Sequence, residues 1–331
     1  MNRVAIFGAG GMGTALALLA SKKAESVALW CREGDQAERI QSSRENAKHL
    51  PGVRLPDAIE ATADFARAVR GAELLIVAVP SAYLRSTLAS VSRLVPRGVP
   101  CLSVVKGIEN GTFARPSRII TEIWGDRPVA VLSGPSHAEE LARGLPASVV
   151  VAGENDALNL AVRDLLNEGM FRVYINDDPI GVELAGALKN IVGIASGVCD
   201  GLELGDNAKA ALITRGLVEI ARFAIALGGR STTFAGLAGI GDVVTTCYSG
   251  YGRNHALGVR IGRGETLDEA LAASSGVAEG VPTAKSVHAQ AISLAIDMPI
   301  TAQLHAVLFE GKSPVAALSD LMVRLPKVEW C

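Results

Sequence analysis

The chain has 331 residues, 49% of them hydrophobic, with mean hydropathy +0.30 and a formal net charge of −2. That length supports two domains with a large core; the near-neutral charge supplies no basic field for nucleic acid, and with no unbroken run of about 18 apolar residues a membrane span is not expected. Five scattered cysteines (Cys31, Cys101, Cys199, Cys247, Cys331), odd in number and without a C-x-x-C, indicate a reducing cytoplasm and argue against a zinc site, and no metal is expected.

In the first half, short β runs alternate with helical patterns, the signature of a parallel sheet wrapped by helices on both faces. The predicted strands are 4–7, 27–30, 74–79, 102–105, 129–132, 148–151 and 171–174. The first leads straight into Gly8-Ala9-Gly10-Gly11-Met12-Gly13 and then a helical run over 14–21. It therefore reads as a strand rather than as a leader peptide. This is G-x-G-x-x-G in a strand–turn–helix setting. Gly8 makes the tight turn, Gly10 lets the backbone approach a pyrophosphate, and Gly13 lets helix and strand pack closely. The helix N-terminus offers free N–H groups and the positive dipole end to phosphates. After the second strand an acidic residue would accept from a ribose 2′-hydroxyl, but the chain reads Cys31-Arg32-Glu33. Arg32 suits a 2′-phosphate instead, so NADP is weakly favoured over NAD.

Ligands of such sheets lie beyond the carboxyl ends of the strands. There the sequence places Pro80-Ser81, Lys106-Gly107 and Ser133-Gly134-Pro135-Ser136. Ser136 and Glu139 have capping-box spacing, and Lys106 is a cation directed at the crevice.

From residue 178 onward the period is helical, which puts a dinucleotide-binding domain at 1–178 and an all-α domain at 179–331. The second domain opens with a helix that Asp178 can cap and Pro179 can start, with Leu184, Leu188, Ile191, Val192 and Ala195 at helical spacing. Lys189 stands in the middle of this apolar helix. Gly186, Gly193, Ser196 and Gly197 share roughly its face, which suggests close approach by a ligand. Further on, Asp242 and Thr246 are four residues apart and share one face of any helix formed there. Gly252-Arg253-Asn254-His255 then offers a guanidinium and an amide suited to a phosphate.

Over nearly its whole length the chain resembles NAD(P)-dependent glycerol-3-phosphate dehydrogenases. The resemblance is carried by GAGGMGTALA at 8–17, NAKHLPGVRLP at 46–56, VKGIE at 105–109, SGPSHAEE at 133–140 and ELAGALKNIVGIASGVCDGL at 183–202. It continues in NAKAALITRGLVEIARFAIALGG at 207–229, TFAGLAGIGDVVTTC at 233–247, GRN at 252–254 and VAEGVPT at 277–283. It implies a Rossmann-type sheet followed by an all-α domain, and interconversion of sn-glycerol 3-phosphate and dihydroxyacetone phosphate with NAD(P), feeding glycerophospholipid synthesis. It also implies a cytoplasmic enzyme, a small phosphorylated substrate and a homodimer. Lys189 matches the family's catalytic base, supported by Asn190 and Thr246, while Lys106 and Asp242 line the substrate. Arg253 and Asn254 match contacts to the substrate phosphate and cofactor, next to Gly252. Gly11, Met12, Ala138, Val277 and Glu279 match cofactor-contacting positions, and Gly134 and Ser136 substrate-contacting ones.

Three positions depart from the family pattern. Gly252 stands where bacterial members usually carry serine, His137 where phenylalanine is usual, and Met12 where an aromatic is usual. Two other readings are a β-hydroxyacid or ketopantoate-type dehydrogenase and a non-catalytic dinucleotide sensor. The first needs an asparagine one helical turn after the lysine, where this chain has Gly193.

Overall fold

The computed structural model describes residues 1–274, 276–325 and 328–329. Eight strands form one sheet: β1 (Arg3–Phe7), β2 (Ser26–Trp30), β3 (Ile59–Thr62), β4 (Leu74–Val77), β5 (Cys101–Ser103), β6 (Val129–Ser133), β7 (Ala147–Gly153) and β8 (Phe171–Asn176). Their order is β3-β2-β1-β4-β5-β6-β7-β8. β1 and β4 are wholly apolar from residue 4 and 74 onward and fully buried, as expected of central strands covered on both faces. The strand order reverses between β1 and β4, which run parallel, so the crevice opens at the carboxyl ends of those two strands.

Two features differ from the sequence expectation. β3 was not expected: Ile59-Glu60-Ala61-Thr62 is short and carries a glutamate, features an edge strand tolerates because one side has no neighbour. The sheet is also not wholly parallel, since β7 runs antiparallel to β6 and β8 follows β7. The cause is the connection. Its helix, Ala138–Ala142, has five residues and advances the chain only about 7.5 Å, too little to carry it back along the sheet for a parallel return.

After β8 the described structure is helical. The helix Pro179–Gly201 is the spine of this part and is buried along nearly its whole length. By length and composition alone it could cross a membrane, but 94% of its most apolar window is buried within the fold, which makes it a core helix. Asp178 caps it by accepting from Gly181 N–H at 2.8 Å, and also accepts from Arg230 N–H at 2.8 Å and Thr233 Oγ1 at 2.6 Å. One turn into the helix, buried Glu183 accepts from Ser117 N–H (2.7 Å), Ser117 Oγ (2.7 Å) and Arg115 Nη1 (2.8 Å), tying the spine to the sheet domain. Burying Leu184, Leu188, Ile191 and Ile194 contributes roughly 1.5–3 kcal/mol each, more than the ~1 kcal/mol that each helical glycine costs.

Gly197 and Gly201 serve a helix crossing, where the sequence suggested a ligand beside Gly197. A Cβ on Gly197 would lie 2.1 Å from His255 O, and one on Gly201 2.3 Å from Val259 O, both on the helix Arg253–Gly262. Reciprocally, a Cβ on Gly258 would lie 2.0 Å from Ile194 O. Gly193 makes room for Thr246 Cγ2, and Gly186 for Ser133 Oγ and the Lys106 stem. The two backbones touch directly, which fixes the start of the Arg253–Gly262 helix relative to Lys189.

Candidate active site

The glycine loop has the features a dinucleotide requires. Gly8 has φ +109°, and a Cβ there would meet Ala78 O, just past the end of β4, at 2.7 Å, so only glycine fits this turn after β1. Gly13 packs so closely that a Cβ would lie 1.9 Å from Gly8 O. Above Gly10 there is open space, with nothing within 4 Å of a Cβ position. The helix Gly11–Ala20 follows with no side-chain cap and no acidic residue in its first turn, leaving its N-terminal N–H groups available for an anion. Met12 lies half-buried in this first turn, and the Ala138 methyl is 3.3 Å from the Cβ position of Gly11.

The loop is held by side chains from outside the glycine motif, which the sequence pattern does not show. Buried Asn46 donates to Ala9 O at 2.9 Å and Thr14 Oγ1 at 2.8 Å, and Gln36 donates to Ala9 O at 3.2 Å. Asn46 lies in the NAKHLPG motif, so the signal was present without a stated role.

Beyond the strand ends, the loops after β5 and β6 and helices of the second half bring polar groups together. A π-helical turn, Leu237–Gly241, leads into the helix Asp242–Tyr248 and places Asp242 at its first position. Lys189 Nζ, on a residue only 7% exposed, donates to Asp242 Oδ1 at 2.5 Å and Thr246 Oγ1 at 2.7 Å. Asp242 and Thr246 thus present one helix face to Lys189, as their spacing predicts. Lys106 Nζ donates to the other Asp242 oxygen at 2.8 Å, to Gly134 O at 2.8 Å and to Ser136 Oγ at 3.4 Å. Asp242 therefore bridges two ammoniums, one from each half of the chain. Asn190 donates to Lys106 O at 3.1 Å and accepts from Asn254 Nδ2 at 3.0 Å, and Asn254 accepts from Gly280 N–H at 2.9 Å.

Burial pushes Lys189 down to about 8; Asp242 opposes the shift and the Lys106 charge adds to it. Burial alone would raise Asp242, but the two ammoniums outweigh it and hold the carboxyl below its ordinary value. Glu279 is raised by burial against the bonds it accepts from Ser81, whose N–H lies 3.0 Å away. Those bonds pin the start of the helix Gly280–Ser293 to the end of β4, a link across the two halves that the sequence did not show. His137 is lowered by burial and by the Lys189 charge, and its Nε2 is buried with no hydrogen-bond partner among the described residues.

The remaining expected positions are less enclosed. Gly252 is the tight residue before the Arg253–Gly262 helix, where a Cβ would meet Thr246 O at 3.1 Å. Arg253 is exposed, with its guanidinium beside Gly276, and makes no ion pair among the described residues. Val277 is half-buried, next to buried Ala278. Ser136 does not cap a helix: its hydroxyl donates to Gly134 O at 2.8 Å, and the helix starts after His137 with no side-chain cap. The carbonyl two residues back is the nearer acceptor and draws the hydroxyl away from the helix N–H groups. Arg32 lies past the end of β2, exposed and paired with neighbouring Glu33 at 3.1 Å, apart from the lysine cluster. Four cysteines are free and buried, and Cys331 lies outside the described residues.

A nucleotide-binding glycine turn in a doubly wound sheet, facing a buried lysine–carboxylate pair on an all-α second half, defines a dinucleotide-dependent dehydrogenase. Family models match both halves: NAD-dependent glycerol-3-phosphate dehydrogenase N-terminus over residues 3–159 and the corresponding C-terminus over 178–319. The chain belongs to the NAD-dependent glycerol-3-phosphate dehydrogenase family. It is 46% identical over 330 residues to a protein of Chlorobium phaeobacteroides (strain BS1) named glycerol-3-phosphate dehydrogenase, NAD(P)+, covering 99% of each chain. A protein of the same name from Geobacillus kaustophilus (strain HTA426) is 46% identical, covering 99% of this chain and 96% of its own. Among solved structures, glycerol-3-phosphate dehydrogenase from Coxiella burnetii superposes with TM-score 0.93 at 38% identity, covering 98% of this chain and 99% of that one.

Proposed function

We propose that the chain interconverts sn-glycerol 3-phosphate and dihydroxyacetone phosphate with a nicotinamide dinucleotide, and that Lys189 is its proton carrier. The observation that carries this reading is the buried Lys189 ammonium held by Asp242 and Thr246, with Lys106 on the far side of the same carboxylate. When bound, the dinucleotide supplies hydride to C2 or takes it away; Gly8, Gly10, Gly11, Met12, Gly13 and Ala138 would hold it, with Val277 and Glu279 at the opposite wall.

The protein's own part is acid–base and positional. During reduction, negative charge grows on the carbonyl oxygen, and Lys189 as ammonium donates the proton that neutralises it. During oxidation, the neutral amine takes the hydroxyl proton. An unperturbed lysine near pKa 10.4 is a poor base at pH 7, whereas about 8 allows both forms. Asp242 and Thr246 orient the amine. Lys106, Gly134 and Ser136 line the substrate, and Arg253 and Asn254, next to Gly252, take the phosphate as a remote handle that positions C2. Asn190 acts through its bonds to Lys106 O and Asn254, so it is a positioning residue.

The ketopantoate-type alternative loses ground here. One turn after Lys189 the helix carries Gly193, packed against Thr246, with no amide in that place. We further propose NADP as the favoured cofactor through Arg32, a cytoplasmic location in keeping with the free buried thiols, and a homodimer that covers exposed Ile292, Val315 and Met322. Light scattering on the purified chain tests the dimer. The activity is tested by following NADH and NADPH oxidation with dihydroxyacetone phosphate, against ketopantoate and β-keto acids as controls. Turnover confined to the phosphate substrate supports the reading, and turnover confined to a control overturns it.

A further inference from the structure

The helices Gly280–Ser293 and Pro299–Phe309 hold a second cluster of metal-ligating side chains, apart from the crevice. His288 comes from the first helix, His305 from the second, and Glu310 follows the second directly. One ligand atom from each lies within 4.8 Å of the others. His305 Nδ1 is 3.0 Å from Glu310 Oε1, and the two imidazole rings stack with centroids 4.1 Å apart. We propose that His288, His305 and Glu310 form a binding site for a divalent transition metal such as zinc.

Metal bonds to imidazole nitrogen and carboxylate oxygen are about 2.0–2.2 Å long, so ligand atoms at tetrahedral angles around one ion stand roughly 3.3–3.6 Å apart. The cluster closes around an ion through side-chain adjustments that bring a pair at the 4.8 Å limit together by about 1.2–1.5 Å. Two imidazoles and one carboxylate are borderline donors that suit Zn(II), Co(II) or Ni(II), with solvent completing the shell. His305 is further located by Phe309, whose ring centroid is 4.9 Å away, and the ammonium of Lys285 stands over the outer part of that ring. Glu310 is exposed and opens the site to solvent.

The site is distinct from the proton-transfer cluster. His288 is eight residues (288 − 280) along the helix from Gly280, about 12 Å. A bound ion would fasten this helix to its neighbour, and the start of the same helix meets Asn254 and Ser81 at the crevice. The effect is thus on the rigidity of the second half rather than on chemistry.

Titration of metal-free full-length protein with Co(II), followed by visible absorption and then by displacement with Zn(II), tests the proposal. The expected result is one bound Co(II) with the intense bands of a low-coordinate nitrogen–oxygen site and no thiolate charge-transfer band, plus a higher thermal midpoint with Zn(II). His288→Gln and His305→Gln each lose affinity by at least ~10-fold, while their midpoints in chelator match the parent. Glu310→Gln, at an exposed position, gives the same weakening if either histidine variant fails to fold. Absence of binding by the parent, or unchanged affinity in these variants, overturns the proposal.

Discussion

Replacing Asp242 by asparagine keeps the size of the side chain and removes the one charge that both Lys189 and Lys106 contact. Two ammoniums then share a buried site without a counter-charge. A single opposite charge at contact distance shifts a pKa by about 1–3 units, so Lys189, at about 8 with Asp242 present, falls to roughly 5–7 without it. At pH 7 the protonated fraction drops from roughly nine-tenths to between a half and about one-hundredth. Reduction needs the ammonium, so kcat/KM for dihydroxyacetone phosphate at pH 7 falls about 2- to 100-fold. The sign is set by the working form. In the parent, reduction declines as pH rises through about 8, while oxidation of glycerol 3-phosphate rises through the same region. In Asp242→Asn both limbs move to lower pH. Steady-state rates in both directions from pH 5 to 9.5, with stopped-flow checks that chemistry limits turnover, read this directly. A variant whose limb stays near pH 8 would show that Asp242 does not set the Lys189 proton affinity.

Gly197→Ala places a methyl against His255 O and forces the two helices apart; an expected loss of ~1–3 kcal/mol in urea unfolding, with a higher KM for the phosphate substrate, follows from the overpacking. Unchanged stability would mean that the crossing is looser than described. His137→Phe removes a buried nitrogen that lacks a partner, so the unliganded protein should gain thermal stability, on the order of 1–3 kcal/mol. A lower midpoint would show that this nitrogen is satisfied in solution. Arg32→Ala should lower kcat/KM for NADPH by about 10- to 100-fold and leave NADH nearly untouched, the worth of a charge-assisted contact to a 2′-phosphate. Equal effects on both cofactors would remove Arg32 from cofactor choice.

The parts of the molecule legible from sequence are those encoded over a few neighbouring residues. Gly8, Gly10 and Gly13 announce their three roles by spacing, and the structure shows a positive φ, an open approach and a close packing at those positions. Lys189 stands out because an ammonium is costly in an apolar helix, and Asp242 and Thr246 because four residues make one face. What was not legible depends on pairings between distant segments. The glycine face around Gly197 marks a place of close approach, yet nothing local says that the approaching group is the backbone at His255. Asn46 reaches back to Ala9, and Glu279 back to Ser81, across separations that no periodicity records. Strand β3 escaped notice because an edge strand with Glu60 lacks the apolar run of its neighbours. The reversal at β7 came from a connecting helix too short for a crossover. Ser136 and Glu139 have the spacing of a capping box, but spacing does not decide which acceptor a serine hydroxyl takes.

The central claim is that the Lys189 amine carries the proton. Its most direct measurement is the single-turnover rate of cofactor oxidation with dihydroxyacetone phosphate in Lys189→Ala, alongside cofactor affinity by fluorescence. The account predicts a rate lower by about 10²–10⁴-fold, the usual worth of a positioned acid or base, with cofactor affinity nearly intact. A variant that keeps most of the parent's rate would contradict it.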